Sequence, residues 1–284
     1  MCRMFFLYST TAVASVAMGI VAPAGEVTAI PNFMSAEYGW LPNNVPQNAP
    51  AGLNFLPVPG KIAPVGADTR PRGGGQLALE RLSDTDNPNL TPWAVAQAKI
   101  HNQLVRNGQR SFVAQARCWP GGVPGQLLFV AEPVYFIQTP QEVRILWQRD
   151  HIVRRIYLNR EHSSNLKPSW FGDSVGHYEN GELVIDTVGF VEHQYSFVDN
   201  YRTPHTKDLH VVERWKMVDG GNAIEATVTV DDPGAFRAPW SGLVRWTKTK
   251  GSMEESVCAE NNLNYETFLH LREYPMPAAK MQDF

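Results

Sequence analysis

Phe171–Phe190 reads FGDSVGHYENGELVIDTVGF, and the fold turns on how this stretch is parsed. Gly172-Asp-Ser174-Val-Gly176 fits the G-x-S-x-G pattern that seats a nucleophilic serine on a sharp strand-to-helix turn, whereas Tyr178–Leu183 fits a tight β-hairpin. The serine elbow needs a helix directly after its nucleophile. Asn180-Gly181 forbids one, because both residues favour positive φ and together make a two-residue hairpin turn. The stretch is therefore read as a hairpin. Its register pairs Glu179 with Glu182, Tyr178 with Leu183, His177 with Val184, Val175 with Asp186 and Ser174 with Thr187. Alternation along the strands collects Ser174, Tyr178, Leu183, Ile185 and Thr187 on one face, and Val175, His177, Val184 and Asp186 on the other. His177 and Asp186 are then diagonal neighbours, roughly 7 Å apart at the backbone, and their face is expected to look inward.

A second hairpin lies downstream. Placing Asp219–Asn222 in its loop sets Lys216 opposite Glu225, an opposite-charge contact that supports the register. Val211, Glu213, Trp215 and Met217 then share a face with Ile224, Ala226, Val228 and Val230, and Glu213 is the one ionisable group on it. A solitary carboxylate in apolar surroundings either finds a cationic partner or is driven towards its neutral form. Both arrangements occur at acid–base centres, and a structural ion pair is the competing explanation. His210 faces Asp231 on the opposite side, and His205 precedes it in the tract HTKDLH.

Short strand signals dominate from Phe112 onward: Val134–Gln138, Val143–Gln148, Ile152–Leu158, Ser174–Tyr178, Leu183–Thr187, His210–Val218, Ala223–Asp231 and Leu243–Thr249. Strands do not alternate with helices, which disfavours a parallel α/β sheet. The expected fold is mainly β: a single antiparallel β-barrel, lipocalin-like, or a sandwich, with the barrel solving the edge problem better. Residues 91–108 form one packing helix, with Thr91 as N-cap, Pro92 at its first position, and Trp93, Ala96, Ile100 and Leu104 at helical spacing. His101 is read there as a surface or capping group. Residues 25–90 form a Pro/Gly-rich arm that cannot supply regular central strands and drapes over the core, burying Trp40, Leu41, Phe55 and Leu56, with a flexible linker near Gly73-Gly74-Gly75 as the alternative. Residues 109–284 hold the β domain, ending in the helix-like tract YETFLHLREY.

Composition limits the partners. Lys+Arg number 25 against 28 Asp+Glu, a net charge of −3 with no basic stripe, so nucleic acid is disfavoured. Arg3 followed by the apolar run Phe5–Val21 and by Ala22-Pro-Ala24 reads as an export signal over residues 1–24, with a membrane anchor or a buried helix as alternatives. Export predicts a secreted or periplasmic protein, free of the membrane once the signal is removed. In that compartment Cys118 and Cys258 are expected to form a disulfide, two free buried thiols being the alternative.

The tracts PSWFGDSVGHYENGELVIDTVGF, HTKDLHVVERWKMVDGGNAIEATVTVDDPGAF and CAENN resemble a family of exported bacterial proteins of unassigned activity. Matching positions are Trp170, Gly172, Ser174, Gly176, His177, Asp186, His205, His210, Glu213, Asp232 and Glu260, within a span from Cys118 to Asn262. Tyr178 and Asn180 depart from the family pattern, where Trp and Gly are more usual. The resemblance supports export and implies no role for any residue.

The functional expectation is cofactor-free acid–base chemistry of lyase, dehydratase, cyclase or isomerase type on a small, largely apolar molecule. His177, oriented by Asp186, would move a proton, and Glu213 would act as the complementary acid or base. Tyr178, Trp215, His205 and His210 would bind the substrate. No metal ion is assigned. Two alternatives stay open: a periplasmic lipocalin-type binding protein, and a metal-dependent hydrolase using His177, His205 and Glu213.

Overall fold

The structure is a computed structural model that describes residues 30–42, 55–66, 82–107, 118–128, 132–251 and 253–258. The export-signal segment 1–24, the glycines 73–75, Glu260 and the tract 265–274 lie outside the described residues.

Among the described residues, nine strands close into a barrel in the order β1 (Tyr38–Pro42), β3 (Val134–Gln138), β4 (Glu142–Trp147), β5 (Val153–Leu158), β6 (Asp173–Glu179), β7 (Glu182–Val188), β8 (His210–Val218), β9 (Ala223–Asp231) and β10 (Trp240–Lys250). β10 pairs back onto β1 to close the ring, and β2 (Leu56–Pro57) lies beside the first half of β10. Both hairpin registers match the expected pairings residue for residue. Asn180 and Gly181 both adopt positive φ, at 51° and 76°. β6 continues as a strand beyond Ser174, so the serine elbow is absent.

Two expectations about the staves need correction. The barrel is not wholly antiparallel, because β5 and β6 run parallel through Tyr157↔Val175 and Leu158↔Gly176. Ring closure explains this. Each antiparallel junction reverses strand direction, and a closed circuit must return to its starting direction, so the reversals must be even in number. Nine junctions then force at least one parallel pair. The arm also supplies a stave, since β1 hydrogen-bonds to β10 and β3 with Pro42 at its last position. Proline at a strand end removes no donor that the ladder needs.

The barrel interior is packed with side chains. Trp40, Val134, Ile145, Trp147, Ile156, Leu183, Ile185, Val211, Trp215, Ile224, Val244 and Trp246 are each 0–2% exposed, so none borders a space that admits water. Phe33 plugs one mouth, donating its backbone N–H to Gln138 Oε1 at 2.7 Å and packing 5.1 Å from Phe136 between ring centroids. Phe55 enters beside β10 because Gly242 has no side chain: a Cβ there would lie 2.4 Å from that of Phe55.

Helix α1 (Pro92–Arg106) starts as expected, with Thr91 Oγ1 accepting from the Ala94 N–H. Its packing face differs from the expected one. Ala94, Ala98, His101, Asn102 and Val105 are buried, while Trp93 and Ile100 are exposed. His101 is therefore a packing residue, its ring edge-on to Phe197 at 5.1 Å. Cys118 and Cys258 form a disulfide that links segments 140 residues apart.

Candidate functional site

Glu213 faces the interior as expected, and it has found its cation. Arg154 on β5 donates from Nη2 to Glu213 Oε1 at 2.7 Å and from Nη1 to Oε2 at 3.1 Å. Trp215 Nε1 donates to the same Oε2 at 3.0 Å. Nη2 also reaches Thr187 Oγ1 at 2.9 Å and Ser174 Oγ at 3.1 Å, and Nε reaches Ser174 Oγ at 3.2 Å. Each of these polar groups is buried, and Trp215 stacks on Trp246 at 4.8 Å. Both carboxylate oxygens are engaged by buried donors and neither charge reaches solvent, so the network reads as a structural plug. Arg154 went unread in the sequence, although alternation with Ile156 and Leu158 places it on the inward face.

The inward convergence of His177, Asp186 and Glu213 does not occur. His177 and Asp186 lie on the outside of the barrel with side chains 52% and 41% exposed, and Ser174 lies inside with Glu213 at 0%. The two faces were hard to tell apart because Val175 and Val184, beside His177 and Asp186, are buried on the outer surface. His177 contacts Glu179 at 3.2 Å. Asp186 Oδ1 instead accepts from Nε2 of both His162 and His210 at 2.9 Å, and His162 Nδ1 meets Asp173 Oδ2 at 3.2 Å. Burial pushes the Asp186 carboxyl up, but the His210 and His162 hydrogen bonds outweigh it and hold the group below the usual carboxylate range. The Asp186 hydrogen bond raises His210 against the opposing effect of burial. His162 sits in the 159–172 crossover between the parallel strands and also went unread.

The remaining sequence candidates are dispersed. Tyr178 accepts from Gln138 Nε2 at 2.8 Å beside the mouth plugged by Phe33. Trp215 is part of the core. With His177 outside and Glu213 sealed inside, the trio of His177, His205 and Glu213 cannot share one metal ion.

His205 stands in a different environment, among the loops that cover the other end of the barrel. Its Nδ1 lies 2.8 Å from the Thr206 carbonyl oxygen, which can only accept, so Nδ1 carries the proton. Nε2 is then bare and accepts from Ser196 Oγ at 2.8 Å. Burial pushes His205 below the ordinary histidine range, against the Thr206 hydrogen bond and the charges of Asp232 and Glu192. The result is a neutral base holding a serine proton.

Both partners are fixed by surrounding elements. Buried Asp232, just past β9, accepts from the Thr206 N–H at 2.6 Å and its hydroxyl at 2.7 Å, and from the N–H groups of Gly234 and Ala235. On the Ser196 side, α1 grips the loop. Asn102 exchanges two hydrogen bonds with the Ser83 backbone, Ser83 Oγ meets Thr203 Oγ1 at 3.1 Å, and Thr203 donates to Asp199 at 2.5 Å. Ser196 stays partly exposed between Tyr195 and Phe197, which pack with Trp119 and Trp170. His193, whose carbonyl accepts from the Ser196 N–H, lies 4.9 Å from Trp119 and 5.0 Å from Trp170 between ring centroids. Ser196 was not among the sequence candidates. It sits in no motif, and its partner lies nine residues on in the same irregular connection between β7 and β8. Compared with known proteins, the chain matches no family model and no curated protein.

Proposed function

We propose that this chain is an exported β-barrel enzyme performing acid–base chemistry on a small, largely apolar molecule, with His205 as its general base. The observation that carries the proposal is the 2.8 Å contact between Ser196 Oγ and a histidine nitrogen whose tautomer is set by a backbone carbonyl. A base held neutral by burial is ready to take a proton near neutral pH. The partly exposed indoles of Trp119 and Trp170 offer the substrate an apolar wall. Export is supported by the Cys118–Cys258 bridge, since disulfides persist in oxidising compartments.

Incubating the purified protein with a small-molecule extract of culture medium, and following its components by mass spectrometry, tests the reading. A consumed compound should be consumed about 10²–10⁴-fold more slowly by His205→Gln. Because burial lowers His205, the acid limb of kcat/KM should lie below about pH 6.5, the unperturbed histidine value. Turnover unchanged in His205→Gln would refute the assignment.

A further inference from the structure

We infer that Ser196 is a covalent nucleophile and that the site hydrolyses small neutral carboxylic esters whose planar apolar part lies against Trp119 and Trp170. The inference rests on the acid–base reading above and extends it from a proton-transfer base to an acyl-transfer centre.

A serine hydroxyl is a weak nucleophile until a base takes its proton, and the arrangement that activates it is a hydroxyl–imidazole hydrogen bond whose far nitrogen is held by a third group. Ser196, His205 and the Thr206 carbonyl make that arrangement in sequence of proton donation: Oγ to Nε2 at 2.8 Å, and Nδ1 to the carbonyl at 2.8 Å. Asp232 serves as a positioning residue. It fixes Thr206 through two hydrogen bonds, and together with Glu192 it places negative charge where an imidazolium forms once the proton moves. The same two carboxylates repel an anionic substrate, which favours a neutral ester. The flat indole faces favour a planar apolar group over a bulky one.

The reaction balances without any further reagent but water. Ser196 Oγ attacks the ester carbonyl carbon while its proton passes to His205 Nε2. The acyl–alkoxy bond then breaks, and the leaving oxygen takes that proton to depart as an alcohol. Water attacks the acyl-serine, giving a proton to His205. The acyl–Oγ bond breaks, Ser196 recovers the proton, and a carboxylic acid is released.

A fluorophosphonate carrying a fluorophore tests the nucleophile without knowledge of the substrate. Oγ would bond to phosphorus, fluoride would leave, and the serine proton would pass through His205 to solvent. The full chain should gain one phosphonyl group, mapped by peptide mass spectrometry to the residue between Tyr195 and Phe197. Ser196→Ala should take up none, and His205→Gln should react about 10²–10⁴-fold more slowly. p-Nitrophenyl benzoate should be hydrolysed by the wild type and not by Ser196→Ala. Peptide mapping on the wild type keeps the test decisive even where a variant folds poorly. An unmodified wild-type chain after prolonged exposure, or a label on another residue, overturns the inference. If His205-dependent turnover of the extract compound persists in Ser196→Ala, the nucleophile fails while the general-base reading stands. If that turnover is also indifferent to His205, both fall.

Discussion

Replacing Glu213 by glutamine keeps the shape of the side chain and removes its charge from the middle of the barrel. In the native network, Oε1 accepts from Arg154 Nη2, while Oε2 accepts from both Arg154 Nη1 and Trp215 Nε1. An amide has one acceptor oxygen and one NH₂. In one orientation its NH₂ confronts Nη2; in the other it confronts Nη1 and the indole N–H together. Either way a donor meets a donor, and the guanidinium keeps a full charge with only hydroxyls and one carbonyl to solvate it. Removing one partner of a buried pair costs about 3–5 kcal/mol. For a chain of this size that is roughly 6–20 °C in Tm. Urea unfolding at fixed pH measures the loss directly as a shift in midpoint, valid if the slope is unchanged. The double variant Arg154→Met with Glu213→Leu removes both charges and should regain most of the stability. Below the unfolding range, any turnover by Glu213→Gln should stay within a few-fold of wild type. A single variant within about 1 kcal/mol of wild type, or a double variant no better than the single, would refute the view that the pair is held in place by mutual neutralisation.

Two further outcomes follow from the covalent and surface contacts. Replacing Cys118 and Cys258 by alanine opens a loop of 140 residues and should cost on the order of 5 kcal/mol in the chain-entropy view, read as a Tm drop under matched conditions; a change under 2 °C, on the order of 0.5–1 kcal/mol, would argue against it. Asp186→Asn should cost stability in a pH-dependent way. Asp186 is held low, so its contribution is present above the usual carboxylate range and is lost as pH falls through its lowered value. His210 is raised, so its contribution is full below the ordinary histidine value and fades as pH rises through the raised one. The stability gap to wild type should therefore peak near pH 5–6, about 0.2–1 kcal/mol given the exposure of both groups, and a gap constant from pH 5 to 8 would contradict the arrangement.

The parts of the fold written in local chemistry were legible. Asn180-Gly181 determined one register through its positive φ values, and the Lys216–Glu225 pairing, 3.8 Å apart in the structure, marked the other. Thr91-Pro92 marked the helix start for the same reason. What was not legible depends on partners far along the chain. Val175 and Val184 made the outer face of the first hairpin look as apolar as the inner one, and only Arg154 explains why Ser174 and Thr187 can point inward. Trp93 and Ile100 looked like the packing stripe of α1, yet its buried face includes His101 and Asn102, which bond or pack onto Ser83 and Phe197. Ser196 and His205 are an exception to distance, meeting nine residues apart within one irregular connection, but no motif spacing reveals them.

The odd number of staves and the location of the candidate site are connected. With β1 inserted between β3 and β10, antiparallel to both, the ring needs a parallel junction, and β5–β6 provides it. Parallel neighbours cannot be joined by a tight turn; the chain must cross from the end of one to the start of the next. The 159–172 crossover meets that need, and it carries Trp170 to the cluster with Trp119 and His193. The same segment places His162 between Asp173 and Asp186, tying the crossover to the outer surface of β6 and β7. The aromatic wall beside Ser196 is thus a consequence of closure: the topology that requires a long connection also delivers an indole to the loop-covered end of the barrel. The packed interior leaves that end, with its partly exposed serine and rings, as the place where the proposed chemistry would occur.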